Sequence, residues 1–167
     1  MAIYYGMVSG ACAEGVIFVG AEADSNSVTW SRFAPAMVMA AGVLAYANSF
    51  PNTFILDDST TVLRSRMTES HLWPLRLVVD LSFRLNLLIG GLNVADYHLF
   101  NLAIHLAAGL CLYGIVRRTL LLPRFGARYS AAAPWLAAVS AAVWVAHPVQ
   151  TESVTYICQR YESLMGM

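Results

Sequence analysis

The sequence predicts an all-α membrane protein, a polytopic helix bundle, and three observations carry that reading. Hydrophobic residues make up 58% of the 167 residues, while charged residues make up only 12%. A soluble domain carries about 25% charged residues to solvate its surface, and half that level leaves too little polar surface to coat a globule in water. The apolar residues are gathered into uncharged runs, and arginines sit at the ends of those runs. The formal net charge is zero, which gives no basic patch for a nucleic-acid partner. All ten basic residues are arginine, a bias to which no function attaches.

Taken in order, residues 1–31 are the least regular. Ile3 to Ala21 is mostly apolar but is interrupted by Glu14 and by glycines, and it lacks the basic start of a signal peptide. It reads as a disordered lead-in or a start codon set too early, rather than as a span. A spanning helix needs about 20 apolar residues to cross a ~30 Å hydrocarbon core. The first candidate is 33–50, FAPAMVMAAGVLAYANSF, which opens after Arg32 and closes at Pro51, a residue that discourages helix continuation. Residues 73–89 follow in the next loop. Leu77, Leu81, Leu85 and Leu88 recur at helical spacing, Arg76, Asp80 and Arg84 mark a charged edge, and Gly90–Gly91 closes the run. That segment is too charged to span and reads as an amphipathic helix in the membrane interface, or as a loop helix packed on the bundle. The second span covers about 97–116 and stops at Arg117–Arg118; the third covers 131–146 and stops at His147–Pro148. Ala133, Ala137 and Ala141 give the third span a packing face of small residues.

Arginine placement sets the direction. The loop after the second span holds Arg117, Arg118, Arg124 and Arg128 without an acid, so it is expected in the cytoplasm. The mixed-charge loop from Pro51 to Asp96 and the segment after His147 are then both outside. Two loops distant in sequence meet at one membrane face.

Candidate chemistry lies on that face. Asp57–Asp58, just past the first span, is an adjacent carboxylate pair. Mutual repulsion and desolvation can raise one pKa and produce a general base; the alternative is an Asx turn or helix cap ahead of Ser59–Thr60–Thr61. His98, Asn101 and His105 fall on one face of the second span, where polar groups line a cavity or bond between helices. His147, Gln150, Glu152, Gln159 and Arg160 follow the third span. If that stretch is one helix, Glu152 shares a face with Gln159, and Tyr156 with Arg160. Pro148 and Glu152 equally suit a plain helix start. The cysteines, Cys12, Cys111 and Cys158, are scattered and form no zinc motif.

The strings YANSFPNTFILDDSTTVL, WPLRLVVDLSFRLN, GLNVADYHLFNLAIHLAAGLCLYGIVRRTL and AHPVQTESVTYICQR, in that order, resemble the N-terminal membrane domain of a glycosyltransferase family. Its members are bacterial tetratricopeptide-repeat membrane proteins, similar to the transmembrane and tetratricopeptide-repeat O-mannosyltransferases of animals. The resemblance covers residues 32–167. It implies the GT-C architecture and a sugar donor carried on a polyprenyl phosphate, transferred to a hydroxyl acceptor on protein or glycan. It implies a location in the bacterial inner membrane, with the active loops on the extracytoplasmic face. It places the family's acidic pair on Asp57 and Asp58 as catalytic residues, and its HP…TE stretch on His147, Pro148, Thr151 and Glu152. His98, His147, Glu152 and Arg160 are the expected substrate-binding residues, with Arg160 the cation nearest the leaving phosphate. One departure is Trp73, where relatives carry arginine before the interfacial helix. No cofactor is identified, and a divalent cation is left open. With three spans and a run ending as a fourth begins near Leu164, the chain is expected to be an N-terminal fragment, inactive alone. The alternative is a non-catalytic membrane module, a transporter segment or a scaffold for a downstream repeat domain.

Overall fold

The computed structural model describes residues 32–51, 53–55, 57–66, 74–125 and 128–166, and every regular element among them is helical. The N-terminal segment 1–31 lies outside the described residues, as does Trp73. In chain order the helices are α1 (Ala34–Tyr46), α2 (Asp58–Arg66), α3 (Pro74–Gly90), α4 (Val94–Leu120), α5 (Ala133–Val145), α6 (Thr151–Thr155) and α7 (Arg160–Met165). Short 3-10 turns at Pro123–Phe125, Pro148–Gln150 and Ile157–Gln159 link the later ones.

The helix ends follow local chemistry. Pro35 and Pro134 open α1 and α5 from within the first turn, where a missing N–H costs nothing. Gly91, at φ +62°, makes the reversal from α3 into α4 that other residues resist. The Asn93 side chain then accepts the Ala95 N–H at 3.3 Å and caps α4. Arg117 and Arg118 stand in the last turn of α4, where cations suit the helix dipole.

Helices α1, α4 and α5 form one packed unit around Ala34, Val38, Tyr46, Leu102, Leu106, Ala138, Ala141 and Val145. Ala133, Ala137 and Ala141 are all fully buried, so the small-residue face of α5 is its packing face. Val145 sits between two glycines. A Cβ on Gly42 would lie 2.7 Å from Val145 Cγ1, and one on Gly109 would overlap Val145 Cγ2. The outward sides of these helices are apolar, with Leu44, Val143, Ile115 and Val139 all more than half exposed. Helix α4 is long and apolar enough to cross a membrane, and only 33% of its most apolar window is buried. Helices α1 and α5 are apolar but shorter, at 13 residues each.

A second cluster stands at the α4 N-terminal end: Val62 from α2, Val79 and Phe83 from α3, Tyr97 from α4, and Ile157. Helix α3 therefore meets the bundle through Val79, Phe83 and Asn86, and its leucine stripe faces outward, with Leu88 83% exposed. Asp80, on the charged edge, accepts the Tyr161 hydroxyl at 2.5 Å. The packed side and the apolar outer side are thus different sectors of one helix.

Candidate functional site

The two aspartates that open α2 have different environments. Asp57 is exposed just ahead of the helix, and its Oδ1 accepts the Thr60 hydroxyl at 3.0 Å. Its carbonyl accepts the same hydroxyl and the Thr61 N–H, so Asp57 stands at the N-cap position of the helix. Asp58 is fully buried. Its Oδ2 accepts the Ile55 N–H at 3.2 Å, and its Oδ1 accepts the Cys158 N–H at 2.9 Å, from a residue 100 positions away. The loop after α1 and the segment after α5 are therefore joined through a buried carboxylate.

That bond opens a helix. Were residues 151–165 one continuous α-helix, the Cys158 N–H would bond the Val154 carbonyl. Instead Asp58 takes the N–H, and His98 Nδ1 takes the carbonyl at 3.2 Å. A carbonyl can only accept, so His98 carries its proton on Nδ1. Its Nε2 is buried and without a partner among the described residues. Asn101 completes the opening by donating to the carbonyls of Tyr156 and Ile157, each at 3.4 Å. Tyr156 consequently lies extended at φ −103°, ψ 110° between α6 and the following turn. The conditional expectation of one helix, with Glu152 beside Gln159 and Tyr156 beside Arg160, does not hold. Side chains from α2 and α4 satisfy the groups that would have continued it.

Tyr156 and Cys158 complete the cluster. The neighbouring Cys158 thiol is the leading cause that pushes the Tyr156 phenol up to about 12, followed by partial burial and the charges of Cys158, Asp58 and Asp57. Burial, with the same two carboxylates, pushes the Cys158 thiol up against the opposing pull of Tyr156. A thiol so placed is a poor nucleophile. The chemistry available here is therefore an exposed carboxylate, a protonated phenol and a buried carboxylate that holds the frame.

Arg160 is also fully buried. Its Nε donates to Asn101 Oδ1 at 2.7 Å, one terminal nitrogen to Asn86 Oδ1 at 2.9 Å and Ser82 Oγ at 3.4 Å, and the other to the Tyr97 carbonyl at 3.2 Å. The rings of Phe83 and Phe100 lie 4.2 and 4.6 Å from the guanidinium carbon. Burial pushes its pKa down to about 9, still above neutrality, so the charge persists and is met by oxygens and aromatic faces. Among the described residues no carboxylate pairs with it. Its donors hold α3, α4 and α7 together.

His147 and Glu152 are exposed at the start of the same segment. His147 Nδ1 accepts the Val149 N–H at 3.2 Å and caps the Pro148–Gln150 turn. Glu152 sits in the first turn of α6. No hydrogen bond among the described residues joins either to the acidic pair. Deeper in α4, His105 Nε2 meets the Val145 carbonyl at 3.0 Å and stacks on Trp144, which makes it a bond between helices. Tyr46 donates to the same carbonyl at 3.2 Å.

The structure thus gathers Asp57, Asp58, His98 and the segment leading to Arg160. Sequence reasoning missed Tyr156 and Cys158 as neighbours of the acidic pair, and Asn86 as a partner of Arg160. The one available signal was Asn86, a lone amide in the apolar part of α3. Among the described residues no three His, Cys, Asp or Glu side chains converge to hold a metal ion. No family model matches the chain, and no curated protein or solved structure matches it.

Proposed function

We propose that this chain is part of a multi-pass membrane glycosyltransferase of the GT-C type, moving a sugar from a polyprenyl phosphate to a hydroxyl on protein or glycan. The observation that carries the reading is the Asp58–Cys158 bridge, which joins the loop holding the exposed Asp57 carboxylate to the segment holding Tyr156. The bilayer part of the reading rests on α4 and on the apolar outer faces of α1 and α5, which lipid would cover. Helices α1 and α5 cross with the help of their flanking turns. The arginines from 117 to 128 keep that end in the cytoplasm and put Asp57 on the extracytoplasmic face of the bacterial inner membrane.

Asp57 is the catalytic base. It takes the proton of the acceptor hydroxyl as the oxygen attacks the anomeric carbon. The bond from that carbon to the phosphate oxygen breaks, and the polyprenyl phosphate leaves with the electron pair. Tyr156, protonated at physiological pH, is a donor toward the phosphate oxygens. Arg160 acts at one remove, since it is fully buried and bonded to α3 and α4, and Asp58 is the positioning residue that fixes Asp57 against the second segment. His147 and Glu152 are exposed at the start of the same segment, available to an acceptor.

Transfer from a polyprenyl-phosphate sugar, measured in membranes containing the complete gene product, tests the assignment. Asp57→Asn preserves size and the Thr60 contact, and is expected to lower turnover by about 10²–10⁴. Near-normal turnover in that variant would reduce Asp57 to a helix cap and leave the non-catalytic membrane module as the better reading.

A further inference from the structure

A groove of about 440 Å³ lies away from the acidic pair, between the outward side of α4 and the segment that follows α5. Its wall on α4 is Ile104, Ala108, Leu112 and Ile115, a single stripe at successive helical turns. Eleven residues of helix rise about 16 Å, close to half a ~30 Å hydrocarbon core and so to one leaflet. The other end is polar, with Gln150, Ser153, Glu162 and Ser163. The Ser163 hydroxyl is buried there without a hydrogen-bond partner among the described residues, while Glu162 is exposed.

We infer that this groove holds one phospholipid with an amine-bearing head. The apolar stripe takes an acyl chain along a single leaflet. The Glu162 carboxylate meets the ammonium, and the hydroxyls of Ser153 and Ser163 and the Gln150 amide donate to the phosphate. The lining holds a carboxylate and no arginine. A head of net negative charge, including the phosphate of a polyprenyl-linked sugar, would meet repulsion from that carboxylate, and His105, which also lines the groove, has its Nε2 engaged by the Val145 carbonyl. The groove is therefore a lipid site separate from the donor site. The inference rests on the bilayer part of the proposed function and not on its chemistry.

The test is native mass spectrometry of the unmodified chain in detergent, supplied with equal phosphatidylethanolamine and phosphatidylglycerol. The expected result is one retained phosphatidylethanolamine, favoured about two- to fivefold over phosphatidylglycerol, the size of one exposed ion pair. Glu162→Gln, an exposed change that leaves the fold intact, should abolish that preference. Ala108→Leu, which narrows the groove, should lower retention of both lipids. Equal retention of the two lipids, a preference for phosphatidylglycerol, or a preference that survives Glu162→Gln would overturn the site. Alkaline carbonate extraction separates the two failures: a chain released from membranes contradicts the bilayer reading itself, and a chain that stays leaves it standing.

Discussion

Asp57 and Asp58 are neighbours in sequence and differ in what their removal should do. Asp58 accepts two backbone N–H groups while fully buried, and a buried carboxylate held by such bonds leaves unpaired donors when deleted. Asp58→Ala should therefore cost about 2–5 kcal/mol in a detergent unfolding titration. Asp57→Asn, at an exposed position, should stay within about 0.5 kcal/mol of the parent while lowering the proposed transfer by about 10²–10⁴. Equal stability losses in the two variants would contradict the division of roles. The sequence showed the pair and both of its options, cap and base. It did not show that Asp57 stands at the N-cap while Asp58 bridges, because the partner of Asp58 is the N–H of Cys158, 100 residues on. Arg160 was hidden for a similar reason. A lone arginine after a span resembles a phosphate-binding cation, and only Asn86, Asn101 and two phenylalanine rings reveal a buried clamp.

At the scale of elements, the crossing of α1, α4 and α5 depends on two glycines closing on Val145. Adding a methyl at Gly109 should overpack the crossing and cost about 1–3 kcal/mol, read as resistance to dodecyl sulfate. Val145→Ala in the same chain should recover part of that loss, because it removes the atoms the methyl would meet. Simple additivity of the two changes would place the strain elsewhere. These helices were legible from uncharged runs, arginine flanks and proline or glycine ends, which are local signals. The break at Tyr156 was not. Pro148, Glu152 and the polar spacing all favour a continuous helix, and the opposing groups are Asp58, His98 and Asn101, brought in by packing. The leucine stripe of α3 was legible as amphipathic, but the side that packs is the one carrying Val79, Phe83 and Asn86.

For the whole molecule, the proposed function depends on the acidic pair and the segment after α5 sharing the face opposite the arginine-rich turn. Bond geometry joins Asp58 to Cys158, while the sidedness comes from arginine placement, a rule of membrane insertion. The direct measurement is labelling of intact cells with a membrane-impermeant maleimide, using single cysteines at Ser59, Arg124 and Thr151 in an otherwise cysteine-free chain. All three positions are exposed in the structure. Positions 59 and 151 should label from outside, and position 124 only after the membrane is opened. Labelling of position 124 in intact cells, or of position 59 without position 151, would contradict that shared face.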